Sequence, residues 1–528
     1  MTVNEALIRK EFREHRQQLI PLSAFVSGFL LLALPFGAST VLDAFYLFIA
    51  LYYPALAGVF VATRIATGER TAGTLEFVKA LPVPLESVAR IRLFTGLLVC
   101  AAPILLATIL VGVIELLTGN TAFPDDRMAS GVMHGQMQSL HVGPFGAIVY
   151  TGAISTVSTI LVYIWSCVAS VGRQNETRAG VASVFMLALW LVVAVVTIVG
   201  FQKARLYFDW PRPLLIAVIN GFGPGAGLGL SEITFNQNRG PGMVVFAHIV
   251  VVLIQAKVLR FLIGRFCRNY GHDRRPALSA GALSVRRPGI RERLAAATDK
   301  VATFNPRIRS RIGALVWKQF RETLPVGLAG AFLIVVLAVL SGFGRNVMAQ
   351  GLVTVGWMVA LLFGVGAFAT DLQDGVREFR MSRPTRPARW FMTQFVAGFG
   401  LFVGFVYLPF FALFAFSIGV ITSSRHGVVD VPTYFGSVLL MHAVTYSLAV
   451  AFCWVFRQRV HAGFFAGLAS MGIILLPTLQ APDLFDLWDV AALASPRHEY
   501  FVFLSVTFGT IAVASIAACL SARFERLR

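Results

Sequence analysis

Residues that could hold phosphates, ligate a metal or attack a carbonyl are sparse in this sequence, and their spacing excludes several chemistries. A phosphate-binding loop needs Gly-Lys-Ser/Thr, so that backbone N–H groups and the lysine can hold the phosphates. The lysines are Lys10, Lys79, Lys203, Lys257, Lys300 and Lys318, and none follows a glycine. The chain therefore lacks a Walker A motif and cannot hydrolyse ATP alone. It contains no His-Glu-x-x-His and no Gly-x-Ser-x-Gly, which argues against a zinc protease or a serine-nucleophile enzyme. The five cysteines, Cys100, Cys167, Cys267, Cys453 and Cys519, are scattered without a CxxC pair, so neither structural zinc nor a disulfide framework is indicated. In the segment 119–143, His134, Met137 and His141 would share one helical face with Met128 and Met133 nearby, a soft-ligand set compatible with copper. Scattered Met and His are common in loops, and no metal site is assigned. The glycines Gly221, Gly223, Gly225, Gly227 and Gly229 do not satisfy Gly-x-Gly-x-x-Gly, so nucleotide binding is not indicated there either.

The elements that carry these residues are set by hydropathy. The chain has 528 residues, 57% hydrophobic and only 13% charged, against about 25% charged in soluble domains. Its apolar residues fall in blocks of about twenty, the length a helix needs to cross ~30 Å of hydrocarbon. Lipid offers backbone groups no partner, so such blocks become helices, and the alternation of a membrane β-barrel is missing. The expected fold is all-α: a polytopic membrane protein with about twelve spans. They lie near 19–37, 41–63, 92–117, 145–171, 179–201, 243–264, 325–343, 346–370, 391–421, 432–456, 460–480 and 499–521. The first block follows a charged segment and lacks a small-residue cleavage site, so it reads as an uncleaved span.

The net charge of +19 follows membrane topology rather than nucleic acid, because basic residues cluster between apolar blocks and no aromatic stacking pattern accompanies them. With the N-terminus inside, 37 of the 45 Lys and Arg residues fall on the inner side, which places both termini in the cytoplasm of a multi-pass cell (inner) membrane protein. The polar stretch 265–311 reads as a basic cytoplasmic linker between two domains, 1–264 and 312–528. Span interiors are nearly free of charge: Asp43, Glu115 and Asp371 fall near span ends, and only His248 and His442 lie within. A carrier driven by an ion gradient usually holds ionisable groups at mid-membrane, so their scarcity favours another energy source. A lone membrane histidine reads as a hydrogen-bonding packing residue.

The two halves resemble each other. Ala6-Leu7-Ile8-Arg9-Lys10-Glu11-Phe12-Arg13-Glu14 matches Ala314-Leu315-Val316-Trp317-Lys318-Gln319-Phe320-Arg321-Glu322 at six of nine positions, offset by 308. Each is read as an interfacial helix, with Ile8 and Phe12, or Val316 and Phe320, toward acyl chains and Lys10, Arg13, Lys318 and Arg321 toward headgroups. Each is expected to lie flat and turn into the membrane near Pro21 or Pro325. Gly73, Glu76, Phe77 and Pro82 recur as Gly375, Glu378, Phe379 and Pro384, offset by 302. An even span number per half gives both copies one orientation, related by an axis along the membrane normal.

With these motifs the sequence resembles the permease of an ABC transporter of the ABC-2 type, two six-span domains fused in tandem. The family's cytoplasmic loop, Glu-Arg-x-x-Gly-Thr-Leu-Glu followed by apolar residues and a proline, stands here from Glu69-Arg70 through Gly73-Thr74-Leu75-Glu76-Phe77 to Pro82. The second copy, 371–387, lacks Glu-Arg and the Gly-Thr-Leu run. The resemblance implies that 69–84 and 371–387 contact separate cytoplasmic ATPase subunits, two copies, which bind ATP and Mg, while this chain binds no cofactor itself. It also implies a re-entrant outer gate within 211–235 at the glycines named above, a flexible loop being the plain alternative. The implied activity is export of an amphipathic or lipid-like substrate, with membrane lipid as a further partner and no nucleic acid. An ion-gradient-driven secondary transporter is the alternative.

Overall fold

The computed structural model describes residues 3–34, 53–71, 73–80, 83–118, 144–173, 241–271, 311–340, 345–369, 387–420 and 431–456, with single positions or short runs at 41, 45, 176–190, 223–224 and 462–470. Among the described residues nearly all are helical and none lies in a strand. The helices are α1 (Val3–Ala33), α2 (Tyr53–Thr71), α3 (Leu75–Lys79), α4 (Leu85–Thr118), α5 (Pro144–Ser170), α6 (Pro241–Asn269), α7 (Arg311–Leu340), α8 (Arg345–Ala369), α9 (Pro387–Val420) and α10 (Val431–Val455). Five stretches are long and apolar enough to cross a membrane: Leu85–Leu117, Ile148–Ser170, Ile312–Val336, Arg389–Phe414 and Val438–Val455. A shorter apolar helix covers Val355–Phe368.

Two features depart from the sequence reading. The backbone stays helical through positions 21 and 325, so each surface segment and the first span of its half form one continuous helix rather than a flat helix, a turn and a span. A proline within a helix removes one N–H···O bond and bends it, yet neighbouring packing can carry it through. Helix α6 also runs past 264 to Asn269, taking up the start of the expected linker. Phe266, Cys267 and Tyr270 are buried there while Arg265 and Arg268 face outward, so the amphipathic pattern continues.

Within the first half α1 packs on α4, α2 on α5 and α4, and α6 on α4 and α5. Within the second, α7 packs on α8 and α9, and α8 on α9 and α10. Lipid tails are as apolar as leucine, so close contact and interhelical hydrogen bonds, not burial from water, hold such helices together. On α4 one face (Cys100, Ile104, Ala107, Val111) is buried and the opposite one (Leu98, Leu105, Ile109, Leu116) is open, as a lipid-facing helix requires. The Tyr163 hydroxyl of α5 donates to the Leu93 carbonyl of α4 at 3.0 Å. In the second half the Tyr446 hydroxyl of α10 donates to the Phe395 carbonyl of α9 at 3.1 Å. Each tyrosine fits because a glycine, Gly96 or Gly398, leaves room: a Cβ there would sit 2.2 or 2.3 Å from the hydroxyl. Leu93 and Gly96 lie 302 residues before Phe395 and Gly398, the same offset as the loop motif.

His442 is fully buried, with Nε2 3.1 Å from the Val353 carbonyl and Nδ1 2.8 Å from the Tyr407 hydroxyl. A neutral ring that donates from Nε2 and accepts at Nδ1 satisfies both contacts, the packing role expected of it; His248 carries no side-chain description.

Gly96→Ala should displace the Tyr163 hydroxyl and destabilise the protein in detergent by about 1–3 kcal/mol, the cost of stranding a buried polar group. Thermal unfolding of Gly96→Ala, Tyr163→Phe and the double variant should show the double to be less damaged than the sum of the singles. Strict additivity would mean that the hydroxyl and the glycine are not in contact.

Candidate functional site

The loop expected to meet a partner is built by a helix stop. The N–H of Thr74 bonds the Glu69 carbonyl at 2.9 Å and that of Gly73 bonds the Arg70 carbonyl at 3.2 Å. This is the Schellman pattern, which needs a left-handed residue after the last turn. Gly73 supplies it with φ 73°, where a side chain would add strain. The chain reverses into α3, whose Leu75 and Val78 turn inward, Val78 packing with Val88 of α4. Its outer side carries Glu76, 80% exposed in its side chain, bonded to Lys79 at 2.7 Å. The Gly-x-x-Glu spacing therefore yields one turning residue and one outward carboxylate.

Directly behind this loop lies a buried charged node. The Nε of Arg92, on α4, donates to Glu11 Oε1 of α1 at 2.9 Å. A terminal nitrogen donates to the Tyr270 hydroxyl oxygen beyond α6 at 2.8 Å, and the other pairs with Glu69 at the end of α2. Lys10 lies 3.9 Å from the same Glu69 oxygen. Two carboxylates thus face two cations, so the charges balance. Burial pushes the Tyr270 phenol above its usual value, keeping it a neutral acceptor for the guanidinium. Glu11 is only 1% exposed although its neighbours Lys10, Phe12 and Arg13 face outward. It is the residue that fixes α1 against the bundle.

A second arrangement joins the two halves. Leu56, Val59, Phe60 and Thr63 of α2 face Met358, Leu361, Leu362 and Val365 of α8 across a narrow crevice of about 50 Å³, with Glu176, Gly180 and Val184 on its flank. Residues 462–470 close another side: Gly463 lies against Phe60 and Val365, and Gly467 against Leu56 and Leu361. The walls are apolar except for Thr63 and Glu176. Glu176 pairs with Arg64 of α2 at 3.0 Å. Arg64, Glu69 and the Gly73 turn lie within ten residues of one another, so one helix end serves node, ion pair and crevice.

No family model matches this chain, and no curated protein matches it. The geometry of these two places is what any functional reading must rest on.

Among the residues singled out from the sequence, Glu69 lies inside rather than at the docking surface, Arg70 is half-buried, and Gly73 and Glu76 face outward. Phe77 lies in α3 without a described side chain, and Pro82 and the whole second loop, with Gly375, Glu378, Phe379 and Pro384, fall outside the described residues. Lys10, Phe12 and Arg13 face outward on α1, Arg321 on α7. Lys318 reaches Glu322 at 4.0 Å. Phe320 departs from the expected acyl-facing role: it stacks on Trp317 and on Phe405 of α9, at 5.5 and 6.2 Å between ring centres. Of the five glycines only Gly223 is described; it is buried, and its carbonyl accepts from Gln255 Nε2 at 3.0 Å. The 119–143 segment lies outside the described residues, among which no His, Cys, Asp or Glu group could hold a metal.

Sequence reasoning passed over Arg92, Tyr270, Arg64 and Glu176. The available signal was Arg92 itself, a charge at the very start of an apolar run, which must find a partner when buried. At the matching places of the second half stand Gln319 and Gln394, both buried: they follow Glu11 by 308 and Arg92 by 302 positions.

Arg92→Met should cost about 3–5 kcal/mol, because it leaves two buried carboxylates facing each other. Glu11→Gln/Glu69→Gln/Arg92→Met, which removes the charges together, should recover much of that loss in detergent melting curves. A single variant as stable as the parent protein would show that the node does not hold α1.

Proposed function

We propose that this chain is the membrane permease of an ATP-driven transporter of the ABC-2 type. Its twelve spans form two parallel six-helix halves in the cell (inner) membrane, with both termini cytoplasmic, and two copies of a separate ATPase supply the energy. The observation that carries this reading is the continuity from the outward Glu76 of α3, through the Gly73 turn, to the buried Glu69–Arg92–Glu11 node. A push on α3 must move the ends of α1, α2, α4 and α6 together, because one guanidinium bonds groups from each. Helix α2 then carries that motion to the crevice facing α8.

Further observations support the architecture. Tyr163 with Gly96 and Tyr446 with Gly398 make the same kind of contact in each half, and the glycines, though not the tyrosines, stand at the offset found in the loop motif. The helix pairs α1 with α4 and α7 with α9 repeat the packing of surface-helix spans on their third spans. In the proposed cycle the crevice is the closed pathway. At about 50 Å³ it is far smaller than the roughly 300–1,000 Å³ of sites that enclose small molecules, so transport requires α2 and α8 to separate. Its apolar walls suit an amphipathic or lipid-like substrate, and export is the proposed direction.

The membrane-extracted chain should copurify with an ATPase carrying a Walker motif. Glu76→Arg should reduce that recovery at least about tenfold, as expected where a rim charge is reversed against a complementary partner, while melting temperature stays within a degree or two of the parent. Uptake into inverted vesicles should require ATP. Transport that persists without ATP and collapses with the proton gradient would overturn the proposal in favour of a secondary transporter.

A further inference from the structure

Helix α6 carries a feature that the proposed transport cycle does not use. A groove of about 640 Å³ opens between it, α5 and the segment containing Met186, lined by Trp165, Met186, Lys257, Phe261 and Arg265 among others. Lys257, Phe261 and Arg265 follow one another at intervals of four and so form a single stripe along the helix. The groove is apolar in its walls and cationic along one edge. Lys257 and Arg265 are exposed, and among the described residues neither makes an ion pair. The indole nitrogen of Trp165 is shielded from solvent and has no hydrogen-bond acceptor among the described residues.

The position of these cations narrows the occupant. The outward face of α6 bears Phe246, Ile249, Val252, Leu253 and Phe261, each more than half exposed, a surface that acyl chains must cover. Lys257 lies eight residues before Arg265, or about 12 Å along the helix at 1.5 Å per residue. Its ammonium therefore starts inside the apolar zone, where a cation is costly unless it reaches or draws in an anion. A bilayer supplies acyl chains and anions in one molecule. Basic pockets between helices on the cytoplasmic side suit anionic headgroups.

We propose that the groove between α5 and α6 is a binding site for an anionic phospholipid of the surrounding bilayer. Its phosphate lies between Lys257 and Arg265, and an acyl chain follows the Phe261 face. The site is separate from the ATPase-coupled reading and would stand if that reading failed.

Native mass spectrometry of the purified full-length chain tests it, with dioleoyl phosphatidylglycerol and dioleoyl phosphatidylcholine offered in equal amounts. The parent protein should retain phosphatidylglycerol about tenfold better, in line with two cations acting on one phosphate. Lys257→Gln/Arg265→Gln should bring the ratio close to one, while Lys257→Arg keeps the preference. Arg260→Gln/Arg268→Gln removes the same charge from the same helix outside the groove lining and should leave the ratio unchanged. The proposal is overturned if the groove variant keeps the preference, if both double variants lose it equally, or if Lys257→Arg abolishes it. It is also overturned if millimolar glycerol phosphate displaces the bound lipid, because the site would then select a soluble anion.

Discussion

A guanidinium buried against two carboxylates is an expensive object: each ion loses several kcal/mol of hydration, and attraction restores it only when geometry satisfies every group. Arg92 draws its partners from separate parts of the chain. Glu11 arrives from the surface helix, Glu69 from the end of α2 and Tyr270 from beyond α6. Moving α1 or the end of α2 away from Arg92 parts a buried carboxylate from its guanidinium, and moving Tyr270 leaves one N–H without its acceptor. Hydrophobic contacts in lipid tolerate sliding, since one apolar surface replaces another at little cost. The node does not, and it ties the adjoining ends of α1, α2 and α4 together.

The same logic separates the two halves. Gln319 and Gln394 stand where the first half has Glu11 and Arg92, so neutral amides replace the charged side chains at those two positions. Amide contacts have weaker electrostatics and carry no penalty of an unpaired ion when they open. In their place the second half concentrates aromatic packing: Phe368 meets Trp390 edge-on at 5.6 Å, and Phe320 stacks on Phe405. The described residues of 1–264 hold a buried charged node, and those of 312–528 hold a run of stacked and edge-on rings.

Much of the architecture was legible because lipid enforces it. The apolar runs behind α4, α5, α7, α9 and α10 mark helices whose ends fall within a few residues of the hydropathy boundaries, apart from polar extensions at the N-terminal ends of α4 and α7. Those extensions were the part that hydropathy hides. Helix α2 continues to Thr71 rather than stopping near 63, because Thr67 bonds back to the Thr63 carbonyl at 2.7 Å and Glu69 is buried. The node was illegible for a different reason: Arg92 and Glu11 are 81 residues apart, and Arg92 and Tyr270 are 178. Local spacing reports which face a residue occupies and cannot report which distant face meets it. Gly73 and Glu76 could be read from sequence because a helix stop and an outward carboxylate are local properties. The burial of Glu69 against Arg92 could not be read so, because it depends on a distant helix.

The crevice explains why such an anchor matters. Its walls are apolar side chains of α2 and α8, and in a membrane neither face gains from excluding water, so they are held by close packing and by the Arg64–Glu176 pair at the flank. In the proposed cycle the work of parting these walls enters from the ends of the helices. Helix α2 is the one element that touches every relevant place in sequence: the Gly73 turn at its tip, Glu69 in the node, Arg64 in the ion pair, and Phe60, Val59 and Leu56 along the crevice. From Glu69 to Arg64 is five residues, or about 7.5 Å of helix. An α-helix is stiff over that distance, so displacement of the tip reaches the crevice with little loss. A break in α2 between Thr63 and Thr71 would leave the node and the crevice both intact and mechanically unconnected, which is why the polar end of this helix, the part hydropathy does not mark, is its most consequential stretch.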